Sequence, residues 1–318
     1  PGGYTETMRP VEVCVSAPGS LMLFGEHAVL YGRAAVVGAV HCRLWVRARI
    51  RTDGRLVIRS GIGQFNAPIR DTSAPPPALR FAVLAARQFA ARFPVGLELD
   101  ITSDFPPTIG LGSSAAVTVA VSQAAAELSG QPLPPDQLLE TARTIVRAAQ
   151  DQVGSGADVA ASVWGGVLLY HAADARPILL PGTVPLTVVY SGYKTPTPEV
   201  IRRVAARHEA DPAGTERLFD ESDRLAKAAA EAIRSGALPE LGALMNAAQE
   251  VMEALGVSDA MLADIVATLR ATPGIYGAKI SGAGLGDCVI GLGHIERYTG
   301  PGRRIPVVLS VDGVRKEK

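Results

Sequence analysis

The sequence predicts a mixed fold of strands and helices arranged in two domains. Before Pro181, short strand-like runs alternate with helical segments, whereas longer helices with concentrated charge follow Pro185. The chain has 318 residues, which is enough for two domains with a well-buried core. We therefore expect a first domain over residues 8–183 and a second over residues 184–318.

The composition is typical of a globular enzyme and offers no electrostatic argument for nucleic acid or an anionic membrane as a partner. Hydrophobic residues make up 47% of the chain and charged residues 19%. Lys and Arg together number 31, as do Asp and Glu, so the net charge is zero. The apolar stretches are interrupted well before 18 residues, so we expect no membrane span. Pro1–Thr7 lack the charged and apolar regions of a signal peptide, and we begin the first domain at Met8.

The cysteines Cys14, Cys42 and Cys288 are odd in number and far apart. None of them lies in a CxxC or Cys/His spacing that would build a zinc site. We interpret them as reduced core thiols, which favours a cytoplasmic location.

Strand and helix signals follow one another through the first domain. Val11–Ala17 alternates apolar and polar residues as a strand, and Pro18-Gly19 interrupts it before Leu21–Phe24. Asp53-Gly54 has turn chemistry, so we expect a hairpin between the strands on either side of it. Strands are predicted at Ala35–Ile50, Leu56–Arg59 and Val95–Ile101, and a loop at Gly61–Ala78. Helices are predicted at Leu79–Phe93, Ser114–Leu128 and Leu138–Ala149.

The later part of the chain is predicted to contain five strands and four long helices. The strands are Val167–Tyr170, Leu186–Tyr190, Ile275–Ile280, Cys288–Leu292 and Pro306–Val311. The helices are Glu199–Ala210, Ala213–Ser235, Leu238–Leu255 and Asp259–Ala271.

A glycine-rich turn, PPTIGLGSSAAV at Pro106–Val117, joins a predicted strand to a predicted helix. Gly110 and Gly112 permit positive φ and close approach of a ligand, and we expect Ser113 or Ser114 to cap the helix. The free N–H groups at a helix N-terminus favour an anion. No Lys follows the glycines, so the Walker pattern is absent. On spacing alone, the turn fits a phosphate site and an ordinary tight helix cap about equally well.

Two further stretches place charged or polar residues in apolar surroundings. Glu26 and His27 stand side by side in GEHAVLYG, Gly25–Gly32, where burial is costly without partners. They form either a satisfied core pair or part of a polar pocket. Asp158 is the one carboxylate in GSGADVAASVWGG, Gly154–Gly166, and is either a helix cap or a functional group that a ligand approaches past glycines.

Three stretches, in this order, resemble the signature motifs of the GHMP kinase superfamily, which comprises galactokinases, homoserine kinases, mevalonate kinases and phosphomevalonate kinases. They are APGSLMLFGEHAVLYG at Ala17–Gly32, PPTIGLGSSAA at Pro106–Ala116 and KISGAGLGDC at Lys279–Cys288. Together they span nearly the whole chain. GEHAVLYG and the segment Leu244–Ser258 most closely resemble the mevalonate kinase family.

The resemblance implies an α+β fold with ATP bound in the cleft between the domains. The N-terminal domain would contain a left-handed βαβ crossover, against the usual right-handed preference, and the C-terminal domain would be ferredoxin-like. The implied reaction is ATP-dependent phosphorylation of the terminal hydroxyl of mevalonate, giving 5-phosphomevalonate and ADP in isoprenoid synthesis. The implied phosphate loop consists of Gly110, Leu111, Gly112, Ser113 and Ser114.

The resemblance also implies roles for individual side chains. Ser114 would help to hold Mg²⁺, which keeps several waters and needs few protein ligands. Asp158 would be the catalytic carboxylate that accepts or orients the proton of the attacking hydroxyl. Glu26 and His27 would face the acceptor substrate. The residues that would close the site from the second domain are Ser281, Gly282, Ala283 and Gly284.

Three departures from the family pattern bear on the mechanism. Mevalonate kinases usually have Lys where this chain has Ser20, and we expect Lys194 to supply the missing charge. Many of them have a Mg²⁺-binding Glu where this chain has Gln150. The residues around Asp158 and the final Gly-Asp-Cys are closer to phosphomevalonate kinases, which need extra positive charge for a phosphorylated acceptor. The candidates for that charge are Arg43, Lys194, Arg202 and Arg203.

Mevalonate is thus the first-ranked acceptor, and phosphomevalonate or the acceptor of a related small-molecule kinase is the alternative. From a different class, loss of the usual Lys at Ser20 fits an ATP-binding protein with weak catalysis. Retention of Asp158 and of the whole phosphate loop argues against that class, because a pure binder needs no base. We expect a small-molecule partner, and a homodimer is a possible assembly.

Overall fold

The computed structural model describes residues 11–174, 176–182 and 184–318. The predicted start of the first domain at Met8, and residue 183 at its predicted end, lie outside the described residues. The described strands are β1 Glu12–Phe24, β2 Ala35–Ile50, β3 Arg55–Ser60, β4 Gly63–Pro68, β5 Gly96–Ser103, β6 Val167–Tyr170, β7 Ile178–Leu180, β8 Leu186–Tyr190, β9 Gly277–Ser281, β10 Cys288–Leu292, β11 Arg303–Ile305 and β12 Arg315–Lys316. The described α-helices are α1 Arg80–Gln88, α2 Ser113–Leu128, α3 Pro135–Ala149, α4 Ala157–Trp164, α5 Thr197–Ala210, α6 Pro212–Ser235, α7 Leu238–Ala254 and α8 Ala260–Ala271.

The first sheet has the order β12-β1-β2-β5-β3-β4, and β6 and β7 extend it beside one end of β2. Its pairs are antiparallel except for β3 and β5, which run parallel and are connected through α1. The alanine-rich helix α2 packs against β1 and β2. Its buried Ala116, Ala120 and Ala124 let the helix lie close to the sheet. This close packing fixes the glycine-rich turn against Gly19 and Ser20 of β1.

Two local predictions in this sheet are wrong. Strand β1 continues through Pro18-Gly19, and a shift of register between Pro18 and Ser20 absorbs the irregular residues as a bulge. The predicted hairpin at Asp53-Gly54 does not form, because β5 inserts between β2 and β3 and pairs with both. The N–H of Gly54 instead donates to the carbonyl of Val95 at 2.7 Å.

Other differences concern short elements. The predicted loop Gly61–Ala78 contains β4, which forms a hairpin with β3. Helix α4 and strand β7 were not predicted. The predicted strand Pro306–Val311 is wrong, since only Leu309 makes a bridge, to Val40 of β2. Cys288 is buried as expected, whereas Cys14 and Cys42 are partly exposed; all three are free thiols.

The second sheet has the order β11-β8-β10-β9 and is antiparallel throughout. Helices α7 and α8 pack against it. Gly242 of α7 packs closely on β9: a Cβ on Gly277 would overlap the backbone of Gly242, and a Cβ on Gly242 would overlap the backbone of Tyr276. None of the helices in the described ranges is long and apolar enough to cross a lipid bilayer.

The tail that follows β11 returns to the first sheet. Strand β12 pairs with β1, where Ser16 lies opposite Arg315. The guanidinium of Arg43 is buried beneath the tail and donates to Ser16 Oγ and to the carbonyl of Gly313, both at 2.8 Å. The division between residues 183 and 184 stays a prediction, and the last residues of the second predicted domain pack on the first sheet.

Buried polar contacts join the two sheets where β1 ends beside β9. Lys279 forms an ion pair with Glu26, and the lysine is fully buried. Close by, Ser281 Oγ donates to the carbonyl of Met22, and His27 Nε2 donates to the carbonyl of Ala283, both at 2.8 Å. Because unpaired buried charges are very costly, this junction holds the sheets in one relative position.

Replacing Lys279 with Met should lower the free energy of unfolding by about 3–5 kcal/mol, because the Glu26 carboxylate would stay buried without its partner. Urea denaturation measures the loss. In the double variant Glu26→Gln/Lys279→Met, most of the stability should return. Purely additive losses in the two single variants and the double variant would contradict a direct interaction.

Candidate active site

The glycine-rich turn between β5 and α2 has a left-handed backbone at two positions. The φ angle is 71° at Gly110 and 62° at Gly112. A Cβ on Gly112 would overlap the hydroxyl of Ser20, and a Cβ on Gly110 would lie 2.9 Å from Oδ1 of Asp287. Glycine is therefore required at both positions by conformation and by space.

Helix α2 begins at Ser113 with Gly112 as its N-cap, and no side chain caps it. The expected capping by Ser113 or Ser114 is wrong, because the left-handed Gly112 makes the turn and both serines already belong to the helix. Their hydroxyls lie in the first helical turn and line the cleft below. The free N–H groups of this turn and the helix dipole form a site for an anion.

The glycine-rich turn forms one wall of a cleft between the two sheets. The predicted site residues that line the cleft are Gly110, Gly112, Ser113, Ser114, Glu26, His27, Asp158, Lys194, Ser281, Gly282 and Ala283. Two others lie elsewhere: Leu111 is buried, and its carbonyl accepts the N–H of Ser20 at 3.1 Å, whereas Gly284 packs on Val257.

A second, mostly apolar cavity lies on the other side of the glycine-rich turn. Ser113 and Ser114 line both cavities. Apolar side chains around the second cavity include Phe81, Ile101 and Phe105. No motif in the sequence indicates this cavity, because its walls come from segments that resemble ordinary core and loop.

Asp158 extends into the cleft from the first turn of α4. Gly156 is the N-cap of this helix with a φ angle of 85°, and no side chain caps it. The interpretation of Asp158 as a helix cap is therefore excluded. Its Oδ1 instead accepts a hydrogen bond from Ser20 Oγ at 2.8 Å. Ser20 thus connects the carboxylate to the phosphate loop.

Burial raises the pKa of Asp158 above its ordinary value. The Ser20 hydrogen bond and the charge of Lys194 lower the pKa, while the charge of Glu26 raises it. A carboxylate with a raised pKa is a better proton acceptor than an exposed one. The position and the basicity of Asp158 both suit a general base.

Lys194 enters the cleft from the loop between β8 and α5. Its Nζ lies 3.4 Å from Oδ1 of Asp287. Burial raises the pKa of Asp287, and the nearby Lys194 lowers it. One cation therefore pairs with Asp287 and also acts electrostatically on Asp158. Lys194 was among the predicted site residues and Asp287 was not; the one signal for Asp287 in the sequence is its place as an acidic residue in the third glycine-rich motif.

Glu26 and His27 line the cleft, and each already has a polar partner. Glu26 pairs with Lys279, and His27 donates to Ala283. Burial lowers the pKa of His27 below its ordinary value, so the neutral imidazole is favoured. Both alternatives left open by the sequence therefore apply. The two residues have polar partners in the protein, and they also form part of the cleft wall.

The donor atoms at the cleft suit a hard cation. Ser114 and Gln150 line the cleft with oxygen atoms, and Asp287 Oδ1 is buried without a hydrogen-bond partner. Across the described ranges, no group of three or more His, Cys, Asp or Glu side chains could hold a metal ion. This donor set fits Mg²⁺ that keeps waters and binds phosphate oxygens, rather than an all-protein cage.

Comparison with known proteins decides the family. Residues 80–166 match the model of the GHMP kinases N terminal domain, and residues 229–297 match that of the GHMP kinases C terminal. The chain is 35% identical to a mevalonate kinase of Aeropyrum pernix over 292 residues, which cover 89% of this chain and 90% of that protein. The chain belongs to the mevalonate kinase family of GHMP kinases. It is also 32% identical to a mevalonate kinase of Pyrococcus horikoshii, with 94% of this chain and 92% of that protein covered.

The fold comparison agrees with this GHMP kinase assignment. The structure of L. major mevalonate kinase in complex with R-mevalonate is similar, with a TM-score of 0.72 at 27% identity. The similarity covers 88% of this chain and 87% of that one. The predicted family and the predicted α+β GHMP kinase fold are confirmed.

In this kinase, Ser20→Ala should shift the acidic limb of the pH dependence of kcat/KM to higher pH. The variant removes a hydrogen bond that lowers the pKa of Asp158, and the protonated carboxyl cannot act as a base. ADP release measured across pH tests the shift. As a control, Ser162→Ala removes a buried hydroxyl that donates to the carbonyl of Pro18 and should leave the limb in place. An unchanged limb in Ser20→Ala would contradict the assigned hydrogen bond.

Proposed function

We propose that this protein transfers the γ-phosphoryl group of ATP to the terminal hydroxyl of mevalonate, producing 5-phosphomevalonate and ADP in isoprenoid synthesis. The observation that carries the proposal is the Asp158 carboxylate, which accepts a hydrogen bond from Ser20 in a cleft shared with the phosphate loop. Relatives named mevalonate kinase support mevalonate as the acceptor.

The two cavities suit the two ends of ATP. The triphosphate would lie on the N–H groups of the loop from Gly110 to Ser114, where the helix dipole favours negative charge. The apolar cavity beside Phe81 and Phe105 would take the nucleobase. Because the cavities meet at Ser113 and Ser114, a single nucleotide can occupy both.

Magnesium would be held by the hydroxyl of Ser114 together with phosphate oxygens and water. When bound, the ion neutralises charge on the β- and γ-phosphates. Gln150 would support the site as a neutral oxygen donor in place of the usual Glu. A neutral amide and one hydroxyl suffice because Mg²⁺ relies mostly on phosphate and water ligands.

The remaining side chains carry out the proton and charge transfers. Asp158 accepts the hydroxyl proton while the acceptor oxygen forms its new bond to the γ-phosphorus. The bond from that phosphorus to the bridging oxygen breaks, and ADP leaves with the electron pair. Lys194 stabilises the charge on the transferring phosphoryl group. It thereby takes the role of the Lys that mevalonate kinases usually have where this chain has Ser20. Glu26, His27 and the Ser281–Gly284 turn are proposed to form the acceptor side of the cleft.

The charge around the cleft disfavours phosphomevalonate as the acceptor. Among the described residues that line the cleft, Lys194 is the one Lys or Arg, and it is paired with Asp287. Arg43 is buried under the C-terminal tail, and Arg202 and Arg203 are exposed outside the cleft. A second phosphate on the acceptor would need further cations. A weak ATP-binding protein is also disfavoured, because such a protein needs no buried base.

Two further properties are proposed on narrower grounds. The three free cysteines favour a reducing compartment such as the cytoplasm. A homodimer stays a prediction.

Coupled ADP release should detect turnover with mevalonate and little with phosphomevalonate, galactose or homoserine. Asp158→Asn should lower kcat by roughly 10²–10⁴-fold, because the amide cannot accept the proton. Binding of ATP should persist in this variant and serves as the control for folding. Turnover with phosphomevalonate alone would assign the alternative acceptor, and ATP binding without turnover on any acceptor would favour the weak ATP-binding protein.

Ser114→Ala should raise the Mg²⁺ concentration needed for half-maximal activity, because it removes the proposed protein ligand. Titration of Mg²⁺ at fixed ATP measures the change. Ser122→Ala is a matched control on the same helix, since the buried Ser122 hydroxyl has no hydrogen-bond partner and lies outside the cleft lining. Equal Mg²⁺ requirements in both variants would exclude Ser114 as a ligand.

A further inference from the structure

The loop that carries Lys194, Ser191–Pro196, is bound to the third glycine-rich turn, Gly282–Asp287. The N–H of Asp287 donates to the carbonyl of Tyr193, and the N–H of Ser191 donates to the carbonyl of Asp287, both at 2.9 Å. Thr195 Oγ1 donates to the carbonyl of Leu285 at 2.6 Å. The backbone that leads into Lys194 is therefore fixed by the turn that ends in Asp287.

The side chain of Asp287 is held at an energetic cost. Asp287 is 5% exposed. Its φ angle is 63°, in the left-handed region that Asp adopts less readily than glycine. Oδ1 has no hydrogen-bond partner, although burial of a carboxylate is costly without one. The nearest compensating group is the ammonium of Lys194 at 3.4 Å.

The carboxylate also lies against the phosphate loop. Oδ1 of Asp287 is 2.9 Å from the position that a Cβ on Gly110 would take. An unneutralised carboxylate there would repel a triphosphate. The ammonium of Lys194 removes that repulsion and at the same time acts on Asp158, whose pKa it lowers. Lys194 is thus within electrostatic reach of both carboxylates.

We propose that Asp287 is a positioning residue that holds the Lys194 ammonium between Asp158 and the phosphate loop. A lysine side chain has four flexible carbons and loses substantial rotamer freedom when fixed. Lys194 is still 32% exposed, so packing alone does not hold it. An ion pair at its tip and the hydrogen bonds of the neighbouring Tyr193 and Thr195 together direct the charge toward the transferring phosphoryl group. This inference rests on the proposed kinase function.

The kinetic test uses Asp287→Asn, Lys194→Met and the double variant. Asn has the same shape and tolerates the left-handed conformation, so the substitution changes mainly the charge. We expect Asp287→Asn to lower kcat about 10-fold or more with little change in the KM for ATP, because the ammonium is misplaced. In the double variant, kcat should be no lower than in Lys194→Met. Independent, multiplying losses would overturn the proposal.

A second test needs no turnover and is therefore independent of the acceptor. Acetylation of lysines, followed site by site with mass spectrometry, should be several-fold faster at Lys194 in Asp287→Asn than in the unchanged protein, because the ion pair that protects the amine is lost. Lys227, which pairs with Asp223 at 2.6 Å on the surface, should react equally in both and is the matched control. Equal acetylation of Lys194 would overturn the proposal.

The two tests separate the alternatives. Faster acetylation without any turnover on mevalonate would keep the Lys194–Asp287 pair and reject the proposed function. If Asp287→Asn instead raised the Mg²⁺ requirement and left acetylation of Lys194 unchanged, Asp287 would be a metal ligand and the positioning role would be wrong.

Discussion

The buried ion pair between Glu26 and Lys279 is the interaction on which the cleft depends. The first sheet and its helices supply Asp158 and the phosphate loop, whereas the segments around the second sheet supply Lys194 and Asp287. Chemistry between these groups requires the two halves to keep one separation. A charged pair fully removed from water fixes that separation, because any parting of the sheets would leave both charges in a poorly solvated space.

The limited space between Ser20 and the phosphate loop determines which wall of the cleft supplies the positive charge near Asp158. The hydroxyl of Ser20 lies against Gly112 and donates a hydrogen bond to Asp158. A small side chain at residue 20 therefore fits against the glycine-rich turn. The cation comes instead from the opposite wall, through Lys194. The first sheet orients the base, and the second half of the molecule adjusts the electrostatic potential around it.

Local chemistry made part of this structure predictable from sequence. The end of α3 at Ala149, the positive φ of Gly110 and Gly112, and the presence of Asp158 in the cleft follow from patterns within a few residues. Contacts between distant segments did not. The turn residues Asp53-Gly54 do not indicate that β5, which follows much later in the chain, inserts between β2 and β3. A single Asp in a glycine-rich motif likewise does not identify the residue with which it pairs. The prediction that a serine caps α2 is wrong because the left-handed Gly112 forms the turn.

The pairing of β12 with β1 has a consequence for how the chain is made. Strand β1 lacks its partner on one edge until residues 315 and 316 have been synthesised, and Arg43 likewise lacks the carbonyl of Gly313 until then. The first sheet therefore cannot be completed before the second has been synthesised. Folding of the two halves is coupled in time, and a nascent chain that stalls after the second sheet would expose β1 to association with other chains.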